Sequence, residues 1–379
     1  MTAFPDPDRP DLRLPAGSGT GHCPSLQREA PRDWIAGALA RLRAEAEASA
    51  PTPLCFLSPK GRPDLRFAFK DESRQPTGSL KHRLARSLFV SGLCSGEIGP
   101  DTPLVEASSG STAISEAWFA RMLGLRFIAV IPRGTSPAKI EAIRAYGGDC
   151  HLVADPATVY DEARRLAQET GGVYLDQFGN AANVTDWRRD NIAQEFLAQL
   201  AASLGRLPDW LVMGAGTGGT ATTMGRYIRY LDLPVRLCIA DVEFSAFFEG
   251  VRRDDPAARC DRASRIEGVG RPRMEPSFLP GVVDQMLKVP DDASVAAMHV
   301  LSDRLGRPVG ASTGAAFYAA CDLAARGRQE PLSVFGLLIC DSGTRYRDTY
   351  FSPDWLARSG IEIAGPAKRL ERFLDSGTW

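Results

Sequence analysis

From residue 51 onward, short apolar runs alternate with longer segments whose apolar residues return every three or four positions. The runs at 66–70, 104–106, 127–131, 150–153, 210–213 and 235–240 have the length of strands. The segments 111–123, 137–146, 157–169, 193–203 and 218–230 have helical periodicity. Ser136 followed by Pro137 marks one helix start sharply. Strands alternating with amphipathic helices predict an α/β fold, in which mostly parallel sheets are flanked by helices. Residues 1–50 depart from this rhythm. A Pro- and Gly-rich tail leads into Trp34, Ile35, Leu39 and Leu42 at helical spacing, an extension expected to pack on the body or on a partner subunit. Residues 252–280, rich in Arg, Pro and Gly, read as a loop over a cleft or at a subunit contact.

The segment 70–83, KDESRQPTGSLKHR, follows the strand at 66–70. Its turn at Gln75-Pro76-Thr77-Gly78 leads to Ser79 as the expected cap of a helix carrying Leu80, Leu84, Ala85 and Leu88. Lys81 then falls in the first helical turn. At the positive end of the helix dipole its amine is disposed to act as a nucleophile or Schiff-base partner. Taken alone, the lysine reads equally as part of a solvated basic face with His82, Arg83 and Arg86.

Length and composition narrow the chemistry. The 379 residues, 44% hydrophobic and 24% charged, are enough for two lobes with a cleft between them. A formal charge of -1 gives no basic footprint for nucleic acid. The first residues lack a signal-peptide pattern and no apolar stretch is long enough to span a bilayer, so a cytoplasmic protein acting on small molecules is expected. The eight cysteines show no C-x-x-C spacing, and neither a disulfide framework nor a metal site is expected. His22-Cys23 and Cys150-His151 are adjacent pairs; on a strand such neighbours face opposite ways, so they read as structural.

Three loops rich in Gly, Ser and Thr stand where helices begin: Ser108-Ser109-Gly110-Ser111-Thr112, Gly214 to Thr220, and Gly310-Ala311-Ser312-Thr313-Gly314. Three such loops at strand ends suggest one shared site. The second matches the dinucleotide pattern G-x-G-x-x-G, with Asp241 ending the next strand. It comes late in the chain, however, and its Thr217 and Thr220 hydroxyls suit a terminal phosphate ester; the pattern alone requires only an anion at a helix N-terminus. The third matches the G-x-S-x-G elbow of hydrolases. All four histidines precede Ser312, whereas that triad places its histidine last.

Lys81 after PTGS, the SSGST loop, the GTGGT loop and the GASTG loop together, in this order, resemble the pyridoxal-phosphate enzymes of the cysteine synthase and cystathionine β-synthase family, fold type II. The resemblance covers roughly 51–355. It implies a smaller domain over 70–185 with the cofactor lysine and substrate loop, and a larger one over 51–69 and 186–379 with the phosphate loop. It also implies that Lys81 is the Schiff-base lysine of pyridoxal 5'-phosphate. Ser108, Ser109, Gly110 and Thr112 would hold the substrate carboxylate, and Gly216, Thr217, Gly218, Gly219 and Thr220 the cofactor phosphate. Ser312 would face the pyridine nitrogen. Asp341 to Tyr346 is similar to the family's closing S-G-x-R-Y element. Ser111 stands where the family normally carries an asparagine that bonds the cofactor's ring oxygen; an S-G-S-T loop after Glu106 resembles a bacterial cysteine desulfhydrase branch.

The expected activity is therefore β-elimination of L-cysteine to sulfide, pyruvate and ammonia. The alternative is β-replacement of the cysteine synthase or cystathionine β-synthase type on O-acetylserine or serine. A regulator that keeps the fold without catalysis is a third reading, against which the intact lysine argues. The resemblance further implies a homodimer, an amino-acid substrate, and no nucleic-acid or membrane partner.

Overall fold

The computed structural model describes residues 31–49, 51–327 and 332–379. The tail at 1–30, with the His22-Cys23 pair, lies outside the described residues. Ten strands follow in chain order: β1 (Leu54–Leu57), β2 (Leu65–Asp71), β3 (Leu104–Glu106), β4 (Phe127–Pro132), β5 (Asp149–Val153), β6 (Val173–Tyr174), β7 (Trp210–Met213), β8 (Arg236–Val242), β9 (Gln285–Val289) and β10 (Ser333–Ile339). Six form a sheet in the order β1-β2-β10-β7-β8-β9, and four a second in the order β5-β4-β3-β6. Every pairing is parallel except that of β1 with β2. This is the α/β architecture that the alternation of patterns predicts.

The helices that flank the sheets are α1 (Arg32–Ala48), α2 (Lys81–Cys94), α3 (Ser111–Leu123), α4 (Pro137–Arg144), α5 (Val159–Thr170), α6 (Gln177–Asn180), α7 (Ile192–Leu204), α8 (Gly219–Tyr230), α9 (Phe247–Arg253), α10 (Asp291–Leu305), α11 (Ala311–Arg326), α12 (Pro353–Ser359) and α13 (Ala364–Ser376). On one face of the four-stranded sheet, Ala38 and Leu42 of α1 join Leu88 and Phe89 of α2 and Ala117 and Phe119 of α3 in one buried cluster. On the other face, Ala163 and Ala167 of α5 pack on Val105 and Val130. In the larger sheet Phe67 and Phe69 of β2 lie 5.3 and 5.9 Å from the ring of Phe317 on α11. Each such side chain contributes about 1.5–3 kcal/mol through burial.

One crossover decides where the site lies. β10 sits between β2 and β7, with Phe335 beside both Phe67 and Trp210. The chain that leaves β2 towards Lys81 therefore runs against the chain that leaves β10. A bridge joins Ser79 to Asp341, and the Leu80 N–H donates to the Cys340 carbonyl at 2.8 Å.

The elements read in the sequence differ by a residue or two at their ends, and β1, β6, β9, β10 and α10 to α13 have no counterpart in that reading. Leu80, in helical conformation, holds the position before α2, while the Ser79 hydroxyl accepts from the Lys81 N–H at 3.2 Å. The helix expected over 137–146 ends at Arg144, because the chain turns at Gly147 with φ +81°. The loop expected over 252–280 opens with the last residues of α9, then runs irregularly over the cleft with Gly268 and Gly270 at positive φ. Cys150 packs towards α2 and α3, whereas His151 Nε2 bonds Glu162 on α5 at 2.7 Å, so the two do face opposite ways. Among the described residues, no helix is long and apolar enough to cross a membrane, and no three His, Cys, Asp or Glu side chains gather as metal ligands.

Candidate active site

A buried charge network holds the start of α2. Glu72, fully buried in the turn after β2, accepts from Arg83 at 2.7 Å, and Glu195 of α7 accepts from the same guanidinium at 2.9 Å. Lys70, also fully buried, donates to Glu195 at 2.5 Å, to Gln199 at 2.6 Å and to the Thr52 carbonyl at 3.1 Å. Burial pushes the Lys70 ammonium down, and Glu195 opposes it. Two turns of chain around Lys81 are thus anchored to another helix by charge-assisted bonds. Gly78, at φ +71°, makes the tight approach possible and lies against the guanidinium of Arg345.

The loop after β3 is pinned at both ends. The Glu106 carboxylate accepts from the Ala107 N–H at 2.7 Å and from the Gln177 N–H at 3.0 Å, and the Thr112 hydroxyl donates to Gln177 Oε1 at 2.7 Å. The Ser111 hydroxyl accepts from Arg345 Nη1 at 2.7 Å, while Nη2 donates to the Thr77 carbonyl at 2.5 Å. Arg345, from the segment after β10, thereby ties the lysine turn to the start of α3.

The glycine loop after β7 leaves its helix open. Gly218, φ +90°, precedes α8 without any side-chain cap, and Thr217 Oγ1 accepts from the Gly219 N–H at 3.2 Å. A Cβ on Gly216 would lie 2.3 Å from the Gly268 carbonyl oxygen, and one on Gly218 would lie 2.5 Å from the backbone of Phe278. Only glycine permits this approach of loops. The result is a helix N-terminus with backbone donors and threonine hydroxyls at the cavity wall, an arrangement that suits an anion.

These loops enclose one cavity of about 420 Å³. Lys81, Ser108, Ser109, Gly110, Ser111, Thr112, Gly216, Thr217, Gly218, Thr220 and Ser312 all line it. Gly219 does not; it packs on Ala181 and borders a smaller adjoining cavity of about 210 Å³. The decoys fall away on geometry. Asp241 is turned from the cavity, accepts from the Phe248 N–H at 2.8 Å, and is held up by burial. His82, His151 and His299 are bonded to Glu45, Glu162 and the Tyr350 carbonyl, far from any role beside Ser312. Gly314 belongs to helix packing, since a Cβ there would meet the Ser294 carbonyl oxygen of α10 at 2.2 Å.

The cavity also holds residues that no motif flagged, Cys340, Gln177, Tyr160, Arg271 and Glu267, together with Lys139 of the segment from Ser136 to Gly148, which resembles the family's lysine-bearing helix. Cys340 abuts Ser312, and burial pushes its thiol up to about 11, so it stays neutral. Lys139 on α4 pairs with Glu267 at 2.6 Å, and Arg271 bonds the Tyr160 hydroxyl. Both contacts join the four-stranded side to the loop at 263–272. That loop lies within the segment 252–280, read from its Arg, Pro and Gly content as a loop over a cleft, and its Gly268 and Gly270 stand at positive φ. A primary amine, an open helix N-terminus and a neutral hydroxyl at one cavity fit a flat aldehyde that bears a phosphate.

The family model described as pyridoxal-phosphate dependent enzyme matches residues 46–341, and the chain belongs to that family; its cofactor is pyridoxal 5'-phosphate. Among its relatives is L-cysteine desulfhydrase Cds1 of Mycobacterium tuberculosis, 49% identical over 93% of this chain and 97% of that protein. Cysteine synthase B of Salmonella typhimurium is 31% identical over 79% of this chain and 92% of its own. The crystal structure of O-ureido-L-serine synthase superposes with a TM-score of 0.73 at 27% identity, over 83% of this chain and 98% of that one.

Proposed function

We propose that this chain is an L-cysteine desulfhydrase, which converts L-cysteine and water to sulfide, pyruvate and ammonia. The observation that carries the reading is its near-50% identity to a cysteine desulfhydrase over almost the whole of both chains. Bound pyridoxal phosphate would supply the electron sink that makes the α-proton of an amino acid removable. Lys81 Nζ would hold the cofactor aldehyde and take that proton. Gly216, Thr217, Gly218 and Thr220 would bind the phosphate, and the Gly219 N–H, spent on Thr217, would orient that hydroxyl. Ser108, Ser109, Gly110 and Thr112 would orient the substrate carboxylate. Ser312, a neutral hydroxyl beside a neutral thiol, would leave the ring nitrogen without a proton donor strong enough to deepen the sink, which suits loss of a β-substituent.

Replacement of the cysteine synthase type is the second reading, carried by the likeness to cysteine synthase B. One experiment separates the two. Purified protein is given L-cysteine alone, and separately O-acetyl-L-serine with sulfide, while sulfide, pyruvate and cysteine are quantified. Equal amounts of sulfide and pyruvate from L-cysteine are expected, with borohydride reduction fixing the cofactor to the Lys81 peptide. Much faster synthesis than breakdown of cysteine would replace the desulfhydrase reading by the synthase one, and label on another lysine would remove Lys81 from its role.

A further inference from the structure

Two carboxyl groups lie buried behind the substrate loop. Glu106 ends β3 and Glu116 lies in the second turn of α3, and both are wholly enclosed. Their environments differ. Glu106 accepts from two backbone donors, Ala107 N–H and Gln177 N–H. Neither oxygen of Glu116 meets a donor among the described residues, and the group it faces is Glu106.

Two anions cannot share such an enclosure, because each would be desolvated and would repel the other. One proton must therefore lie between them. It belongs on Glu116, since two N–H donors favour the ionised form of Glu106 whereas nothing on Glu116 favours charge. Glu116 then donates its O–H to Glu106, which as a carboxylate accepts three bonds. Two of those fix Ala107, where the substrate loop leaves β3, and Gln177, whose side chain accepts the Thr112 hydroxyl at the loop's other end.

We propose that Glu116, as a carboxylic acid, is the positioning residue of the amino-acid carboxylate loop, acting through Glu106 on Ala107 and Gln177. The inference rests on the reading of 108–112 as that loop. Burial pushes both carboxyls above the ordinary carboxylate range, and the charge on Glu106 raises Glu116 further, which keeps the shared proton in place at neutral pH. Around Glu106, Asp176 adds negative charge, and Tyr174 has a buried hydroxyl whose own ionisation is opposed by burial and by Glu106. From α2, which packs on α3, His82 is engaged by Glu45; from α4, Lys139 is engaged by Glu267. Removing the shared proton leaves two facing anions, so amino-acid binding should weaken as pH rises.

The test compares wild type, Glu116→Gln, which keeps a donor but cannot titrate, and Glu116→Leu, which has neither property. KM and kcat for L-cysteine are measured from pH 7 to 9.5, together with the dissociation constant of L-serine read from the cofactor absorbance. At pH 7, Glu116→Leu should raise KM and the L-serine constant about tenfold while kcat changes less than about threefold, and Glu116→Gln should restore both constants. Wild type should lose affinity for both amino acids towards pH 9.5 several-fold more than Glu116→Gln. The amino acids' own titrations are common to both proteins and cancel. Equal alkaline weakening in wild type and Glu116→Gln overturns the proposal, as does unchanged binding in Glu116→Leu. If L-serine follows the expected pattern but L-cysteine yields no sulfide, the desulfhydrase reading fails and this one stands. Should Glu116→Leu not fold, the comparison of Glu116→Gln with wild type decides alone.

Discussion

At the scale of single residues, Arg345 ties Ser111 of the proposed substrate loop to the turn before Lys81. Ser111 is the first residue of α3, and its hydroxyl accepts one arm of the Arg345 guanidinium while the other arm holds the Thr77 carbonyl three residues before Leu80. An ammonium cannot span both acceptors with the same geometry. Arg345→Lys should therefore lose one of these bonds, about 1–2 kcal/mol, and raise KM for L-cysteine by roughly tenfold with a smaller change in kcat, as steady-state kinetics would show. An unchanged KM would mean that Arg345 does not govern the loop. Arg345 was legible in the sequence only as part of a closing motif. That its guanidinium reaches Ser111, 234 positions away, is a product of the crossover at β10.

Helix α1 acts at the scale of the element. Glu45, on its last turn, accepts from His82 Nε2 at 2.8 Å and from Arg86 at 2.6 and 3.0 Å, so the extension clamps the buried His82 next to Lys81 and Arg86 one turn further along α2. Burial alone would raise the Glu45 carboxyl, but bonds from His82, Arg86 and Ser49 outweigh it and bring it down to about 2 from 4.5. A depressed carboxyl contributes stability that is present above its unfolded value and lost as pH falls towards its folded one. The contribution is about 3 kcal/mol at neutral pH, with roughly half gone by pH 3.5. Urea denaturation at pH 7 and pH 3.5 should show wild type losing about 1–2 kcal/mol more than Glu45→Gln over that interval. Parallel losses in the two proteins would show that the clamp is not ionic. The pattern of Trp34, Ile35, Leu39 and Leu42 was enough to place the helix; the partner of Glu45 was not readable, because His82 and Arg86 looked like a solvated basic face.

The whole molecule places the candidate cofactor cavity between its two sheets, with Lys139–Glu267 and Arg271–Tyr160 joining the sides. A ligand in contact with both sides binds the folded chain and not the unfolded one. Stripping pyridoxal phosphate should lower the thermal midpoint by several degrees, and its return at a hundredfold its dissociation constant should restore about 2.7 kcal/mol. NAD should have no such effect, since Asp241 is turned away from the glycine loop. Stabilisation by NAD, with none by pyridoxal phosphate, would reverse the reading of that loop.

The chain's own pattern determined the α/β class, though β1, β6, β9, β10 and α10 to α13 were not read from it. It also determined the bounds of the six strands and five helices read between 66 and 240 to within about two residues, and four short segments that resemble the family's motifs. These are local properties: hydrophobic period, turn residues and helix starts act over a few neighbours. The fold decided everything that depends on separation in sequence. β10 had to enter between β2 and β7 before Cys340 could stand beside Ser312, and the 263–272 loop had to fold over the cleft before Arg271 could meet Tyr160. The buried pair is the plainest case. Glu106 and Glu116 read as a strand end and a helical position, and only packing that shuts out water turns two ordinary acids into a pair that must share a proton.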